Sequence, residues 1–372
     1  MGLAPLYAIQ AISIALILFV GLDYFFTIIF SGKKAVKTKE TNFSPLLIIM
    51  PFRNESSTLP KSMPPVLEYI KSDNDSRLIL IDSASNDNSI AIANELISNH
   101  YPIEPEPVII SSSSGGKCAA LNAAMEKRNN GEQILIVDSD AILTSSGINS
   151  LRAALIDKSI GSVSGLEKIR HDSNTLSRVY KSKLNKSRAS RSQYGSTIIL
   201  EGSMLMFDPD RIGWRLFNEE INADDAQISS SSILSGHRSI VSIEAEFIQI
   251  PQLKSFSLSQ SVRRGQGLVS VLVKNPRLFI TKGMFRETLR TWLLYVVVPW
   301  CTASLVFTSG FFLLLRPGGI VSGPIEYSNM AFLIFIIFSR FGRTLALGSL
   351  SMIVAHFRII TGKSYKSWRP IR

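Results

Sequence analysis

From Thr291 to Leu315 the chain runs for 25 residues without one charged side chain. A run of that length and apolarity spans the hydrocarbon core of a bilayer as a helix, with Pro299 as a tolerated kink. It therefore predicts an integral membrane protein. A second run, Leu6 to Phe30, has Asp23 as its sole charge. A cleaved signal peptide would want a basic start, a shorter apolar core and a small-residue cleavage site, none of which is clear here, so an anchor is expected. A third run, Tyr327 to Phe357, is interrupted by Arg340 and Arg343. Charges at such depth are costly unless they face a polar path or a partner. Two readings of these arginines stay open: a route for a polar product or a lipid phosphate, or a short, broken or interfacial segment with both side chains at the headgroups.

Cations flank these runs. Lys33, Lys34, Lys37 and Lys39 follow the first, Arg286 and Arg290 precede the second, and Arg358, Lys363, Lys366, Arg369 and Arg372 follow the third, whereas the loop Arg316-Pro317-Gly318-Gly319 is weakly charged. The positive-inside rule then sets the N-terminus outside and the C-terminus, with the central domain, in the cytoplasm. The expected organisation is an anchor and basic flank over 1–40, a soluble domain over 41–255, an amphipathic interfacial segment over 256–290, and about two membrane helices with a basic tail over 291–372. The net charge of +11 fits an anionic membrane face. Nucleic acid is not expected as a partner, because zinc spacing, helix-turn-helix patterning and RNA-binding aromatics are all missing. Cys118 and Cys301, far apart, suggest neither a disulfide framework nor a metal site.

Between the apolar ends the pattern alternates. Leu46–Met50, Leu78–Asp82, Val108–Ile110 and Ile134–Asp138 are short, aliphatic runs expected as buried parallel strands. Asp87–Ser98, Gly116–Arg128 and Ser145–Asp157 are expected as the helices between them. This predicts an α/β fold with a mostly parallel, doubly wound sheet, whose ligand lies beyond the carboxyl ends of the strands. Neither G-x-G-x-x-G after the first strand nor G-x-x-x-x-G-K-[ST] occurs, which argues against dinucleotide oxidoreductases and P-loop enzymes.

Two of these strands end in acids: Asp82, with Asp87 five residues on, and Asp138-Ser139-Asp140. Acids often cap a following helix. Two at alternate positions past a buried strand also suit a hard divalent cation, Mg²⁺ or Mn²⁺, bridging them to a diphosphate.

The order of motifs resembles a family 2 glycosyltransferase with the nucleotide-diphospho-sugar transferase fold, the glycosyltransferase A type. Leu47 to Glu55 (LIIMPFRNE) resembles the family's strand and "P-x-x-N-E". Asp82, Ser85 and Asp87 match its "V-D-D-x-S-x-D", with Ser83 in place of the second aspartate. Gly115-Gly116-Lys117 and Ala120-Leu121-Asn122 resemble "G-K-x-x-A-L-N", and Asp138 and Asp140 match its metal-binding pair. The resemblance implies that Pro51, Arg53, Glu55 and Asp82 surround the nucleoside of a UDP- or GDP-sugar, with Lys117 near the phosphates. It places Asp138 by ribose and metal, and makes Asp140 a metal ligand. Asn222-Ala223-Asp224-Asp225 resembles the "E-D" motif, with Asp224 where glutamate is usual and Asp225 as the base that deprotonates the acceptor hydroxyl. Inversion of the anomeric centre follows from the resemblance alone.

Gln260-Ser261-Val262-Arg263-Arg264 resembles "Q-x-x-R-W" of processive synthases with arginine for tryptophan. Gln260 and Arg263 would clasp acceptor and diphosphate, or residues 258–274 would be a basic amphipathic helix on the membrane. Between Arg170 and Arg191, seven Lys and Arg face one acid, Asp172, either as a solvated face or as a holder of lipid phosphate. Gly202 and Ser203 fall where the acceptor side would lie. The expected activity is transfer of one sugar to a lipid-linked or glycan acceptor. Its rivals are a processive polysaccharide synthase, with a homo-oligomer or an export partner supplying further helices, and a catalytically silent scaffold.

Overall fold

The computed structural model describes residues 4–29, 43–112, 116–169, 175–251, 258–315 and 324–363. The lysines at 33, 34, 37 and 39, Gly115, Arg170, Asp172, the loop 316–319 and the tail from Lys366 lie outside the described residues.

A first helix, α1 (Ala4–Ile29), precedes an alternation of strands and helices: β1 (Leu46–Phe52), α2 (Leu59–Ser72), β2 (Ser76–Asp82), α3 (Ser89–Asn99), β3 (Val108–Ser111), α4 (Lys117–Met125), β4 (Gln133–Val137), β5 (Ala141–Ile142), α5 (Ser145–Ile156) and β6 (Ile160–Glu167). Then come α6 (Thr175–Tyr194), β7 (Met204–Phe207), α7 (Pro209–Ile212), α8 (Asp224–Leu234), β8 (Arg238–Gln249) and α9 (Leu258–Lys274). After a 3₁₀ turn at Pro276–Phe279, α10 (Phe285–Trp292) passes through a π turn (Leu293–Val297) into α11 (Val298–Leu315). Helices α12 (Pro324–Phe338) and α13 (Arg340–Ile360) follow.

The described strands form one sheet in the order β3-β2-β1-β4-β7-β6-β8-β5. Strands β1 to β4 run parallel. Strands β1, β2 and β4 are buried, as their unbroken aliphatic runs require of strands covered on both faces, but β3 is not: it lies at the edge of the sheet, and Val108 is exposed there. Alternate residues of β1 serve different layers. Leu46, Ile48, Met50 and Phe52 pack with Leu59, Met63 and Leu67 of α2 and Leu151 of α5. Leu47 and Ile49 pack with Leu121 and Ala124 of α4 and Ile228 of α8. All these side chains are fully buried, and truncating any of those larger than alanine to alanine costs about 2–5 kcal/mol.

The second half of the sheet is mixed. Strand β7 enters antiparallel to β4, with Val137 opposite Met204. Reversal has a direct consequence: the residues before β7, Gly202 and Ser203, arrive at the edge where β4 delivers Asp138.

Three described helical segments are long and apolar enough to cross a membrane: Leu6–Thr27, Phe285–Gly310 and Arg340–Ile360. The run Tyr327–Phe357 is not one span. It breaks at Ser339, whose Oγ caps α13 by accepting from Gly342 N (3.2 Å). Arg340 and Arg343 are exposed at this turn, and Arg343 Nη1 donates to Ile337 O at 2.9 Å, closing the C-terminus of α12. The apolar run is therefore broken at these arginines. Asp23 is no isolated charge either. It pairs with Arg290 and, at 2.8 Å, with Arg286.

The expected amphipathic helix over 258–274 is present as α9, but its apolar face is already covered. On one side a Cβ added at Gly267 would fall 2.5 Å from Asn222 O. On the other, a Cβ at Gly265 would fall 2.5 Å from Met352 Sδ of α13. Helix α9 is thus wedged between the loop leading into α8 and the last apolar helix.

Candidate active site

At the carboxyl edge of the parallel strands the backbone turns sharply. Asn54 (φ 55°) and Ala84 (φ 57°) lie just past β1 and β2 in the left-handed region, where a non-glycine residue is strained. Asparagine tolerates this conformation and alanine does so poorly. The two turns are laced together: Asn54 N donates to Ser85 Oγ (2.9 Å), and Asn86 N donates to Asn54 Oδ1 (2.8 Å). Buried Asp82 at the tip of β2 accepts from Ser85 N at 3.1 Å. Pro51 lies beyond the last β1–β4 pair, Ile49 with Ile136, so its missing N–H leaves no gap there. Arg53 is half-buried immediately after β1.

Glu55 opens the turn before α2. Its carboxylate accepts from Thr58 Oγ1 at 2.6 Å. Burial raises its pKa to about 7 despite that bond, helped by the negative charges of Asp140, Asp138 and Asp87. Asp87 goes the other way: although burial opposes ionisation, hydrogen bonds from Ser89 and Ser56 hold its pKa down.

The centre of the site is Lys117, the first residue of α4 after the N-cap Gly116. Its Nζ lies 2.7 Å from Asp138 Oδ1 and 2.9 Å from Asp224 Oδ2. Burial disfavours the ammonium, but Asp138 and Asp224 hold its pKa above the ordinary lysine value. Asp138 Oδ2 accepts from Ser203 Oγ at 3.0 Å. Asp225, next to Asp224 in the first turn of α8, is pushed up to about 6 by burial and by the Asp224 charge. Ala226 N, Lys117 and Arg188 pull it back. Gly202 backs this pair, since a Cβ there would sit 3.7 Å from Asp225 Cβ.

The loop carrying Asp224 and Asp225 is held from within. Asn122, last of the Ala-Leu-Asn triplet on α4, accepts from Phe217 N (2.7 Å) and donates to Phe217 O (3.1 Å) and Glu219 (2.9 Å). Gln227 Nε2 donates to Ile221 O at 3.0 Å.

The structure therefore unites Lys117, Asp138, Ser203, Gly202, Asp224 and Asp225, with Glu55 and Asp140 in one electrostatic field beside them. Asp82 stands two strands from Asp138, at the same edge. Arg263 lines a small hollow with Glu220, Asn222, Gln266, Gly267 and Ser270. Gln260 sits in the first turn of α9.

The basic cluster is not a uniform solvated face. Lys186 is exposed, but Arg188 and Arg191 are buried. Arg188 is ion-paired to Glu201 and Arg191 to Glu287 at 3.0 Å. These two arginines are therefore already engaged within the fold. Sequence reading missed their inward turn, since Glu201 and Glu287 lie on other segments and no local spacing marks either pair.

Among the described residues no three of His, Cys, Asp and Glu form a ready-made cage. A magnesium-like ion needs only one or two carboxylates when phosphates supply further oxygens. The pair Asp138 and Asp140 fits that demand, and the negative charges of both add to the burial that raises the pKa of Glu55.

Residues 47–211 match the model of glycosyl transferase family 2. These residues are a family 2 glycosyltransferase domain. Asp224, Asp225 and α9 follow it directly in sequence. The chain shares its fold with the mannosyltransferase PcManGT from Pyrobaculum calidifontis, solved with GDP-Man and Mn²⁺. The TM-score is 0.76 at 20% identity, covering 96% of this chain and 100% of that one. TarS residues 1–349 from S. aureus, solved with UDP-GlcNAc, align at 14% identity and TM-score 0.44 over 86% and 93% of the two chains. No curated protein matches the sequence. The matched residues include β1, β2, α4 and β4, and α8 with Asp224 and Asp225 lies beyond them.

Proposed function

We propose that the chain transfers a sugar, with inversion, from a nucleotide-diphospho-sugar to the hydroxyl of a lipid-linked or glycan acceptor at the cytoplasmic face of a membrane. The observation that carries this reading is the Lys117 ammonium bridging Asp138, on the nucleotide side, to Asp224, neighbour of the base.

Asp225 would take the acceptor proton. Ala226 N occupies its Oδ1 at 2.8 Å, which leaves Oδ2 for the incoming hydroxyl. A pKa near 6 keeps the group ionised at neutral pH yet basic enough to accept a proton. As the O–H proton passes to Asp225, the acceptor oxygen bonds to the anomeric carbon from one face. On the other face the bond to the diphosphate breaks, and its electron pair leaves with the nucleoside diphosphate. Lys117 and the N-terminus of α4 face that developing charge. Asp138 and Asp140 would hold Mg²⁺ or Mn²⁺, which when bound neutralises the departing diphosphate. Pro51, Arg53, Glu55 and Asp82 line the edge where the nucleoside would rest, and Arg263 flanks the acceptor approach. The presence of GDP-Man and Mn²⁺ with the Pyrobaculum protein of the same fold supports a UDP- or GDP-sugar donor and a divalent ion. The three long apolar helices support a membrane setting.

The test is a thermal-shift screen of sugar nucleotides with and without Mn²⁺, followed by transfer of labelled sugar in membranes. A metal-dependent stabilisation and a labelled lipid-soluble product are expected. An Asp225→Asn variant that turns over normally would overturn the assignment. A polymeric product would replace single addition with processive synthesis.

A further inference from the structure

Between Leu258 and Arg286 there are six cations, Arg263, Arg264, Lys274, Arg277, Lys282 and Arg286, and no acid. The second half of this stretch, just before the apolar span that starts at Phe285, departs from ordinary surface chemistry. Val273 (60% exposed), Ile280 (85%) and Phe285 (60%) stand out among exposed Lys274, Arg277, Lys282 and Arg286. Large apolar side chains so bare, ringed by one sign of charge, suit an interface that is greasy within and anionic at its surface. The body of helix α9 is not that interface, because around Gly265 and Gly267 it is covered by α13 and by the loop leading into α8; Val273 and Lys274 at its end lie clear of that cover. That end and the turn after it can serve.

The inner side of the turn leads to the active site. Leu278 and Met284 are buried in one apolar cluster with Ile199, Ile221, Ala223 and Ala226. Ala223 and Ala226 bracket Asp224 and Asp225, and Ile199 lies three residues before Gly202. Thr288 Oγ1 ties the turn to α10 by donating to Leu278 O at 3.1 Å. A push on the outer surface of this turn is therefore felt in the packing beneath the catalytic acids.

We propose that residues 273–286 form a foot that binds the anionic phospholipid surface, with Ile280 entering the acyl region and Lys274, Arg277 and Lys282 engaging headgroup phosphates, and that this contact sets the packing of the Asp224–Asp225 loop. The proposal rests on the membrane-face placement argued above. It adds the lipid class and the element that reads it. Soluble polyanions are disfavoured as the partner because the exposed aliphatic side chains contribute nothing to their binding.

The experiment uses the full chain in vesicles of phosphatidylcholine alone or mixed with phosphatidylglycerol, the acyl chains brominated to quench indole fluorescence. An Ile280→Trp variant should show quenching beyond that of the parent chain, deeper with phosphatidylglycerol. The preference should fall about fivefold for each of Lys274, Arg277 and Lys282 changed to glutamine, and should weaken as salt is raised. Sugar transfer should be faster with phosphatidylglycerol, and the triple glutamine variant should keep the rate seen in phosphatidylcholine while losing the increment. I280W left unquenched in active protein would overturn the proposal, as would a response indifferent to lipid charge. Retention on immobilised RNA that the triple variant abolishes, without any phosphatidylglycerol effect, would assign the surface to nucleic acid instead. If no lipid mixture supports transfer while I280W is still quenched, the function proposed above fails and the foot stands.

Discussion

The ammonium of Lys117 and the carboxylate of Asp138 meet at 2.7 Å, although one opens a helix and the other ends a strand. Because Lys117 also touches Asp224, its removal would leave two acids facing each other across a partly buried gap. Lys117→Met is therefore expected to lower kcat about a hundredfold. It should also move the acid limb of the pH–rate profile upward, because Lys117 is among the charges that hold Asp225 down. A pH series on the purified variant in vesicles reads both effects.

Asp225 has its own signature. With its pKa at about 6, activity should rise with pH through that value as the base ionises. Asp225→Asn should cost about a thousandfold in rate and leave the thermal midpoint within a few degrees. A loss of fold rather than of rate would point to a structural role.

Glu55 gives a stability test with a defined sign. Burial raises its folded pKa from 4.5 to about 7, so the fold favours the protonated form. The stability this supplies is complete below pH 4.5 and is lost as pH rises through 7. Glu55→Gln, which keeps an acceptor for Thr58, should raise the thermal midpoint more at pH 8 than at pH 5. Mn²⁺ should narrow that difference by offsetting the charges of Asp138 and Asp140. Calorimetry at the two pH values, with and without Mn²⁺, checks both points.

Gly267 tests whether α9 supports the catalytic loop. A methyl group there would press to 2.5 Å from Asn222 O and 2.8 Å from Ala223 Cβ, and a backbone carbonyl yields little. Gly267→Ala should cost about 1–3 kcal/mol and reduce transfer, whereas Gly202→Ala, whose nearest contact is an ordinary 3.7 Å, should fold normally. Paired denaturation curves distinguish the two.

Much of the first half of the domain was legible in sequence, because strands buried on both faces leave unbroken aliphatic runs and their terminal acids stand out. Helix α2 was not. Pro60, Pro64 and Pro65 argue against a helix locally, yet Leu59, Met63, Val66, Leu67 and Ile70 supply a buried face that prevails. The reversal of β7 was equally hidden, since four residues of Met, Leu and Phe carry no mark of direction. Among the site residues, Asp138, Asp224 and Asp225 could be named from motifs. That Lys117 would tie the first two together required the fold, because ion pairs between separate elements leave no local spacing to read. The inward turn of Arg188 and Arg191 was hidden for the same reason.

The pairing of Asp23 with Arg290 has an evolutionary corollary. Arg290 lies on the same helix as Glu287, Glu287 holds Arg191, and Arg188 one turn earlier holds Glu201, next to Gly202 behind Asp225. The first apolar helix and the glycosyltransferase domain are thus fastened by matched charges rather than by a tether alone. A lineage could not exchange this first helix for any other greasy segment: the replacement would have to bring an acid at the right depth, or the arginine would have to change with it. Anchor and active site are expected to be inherited as one unit.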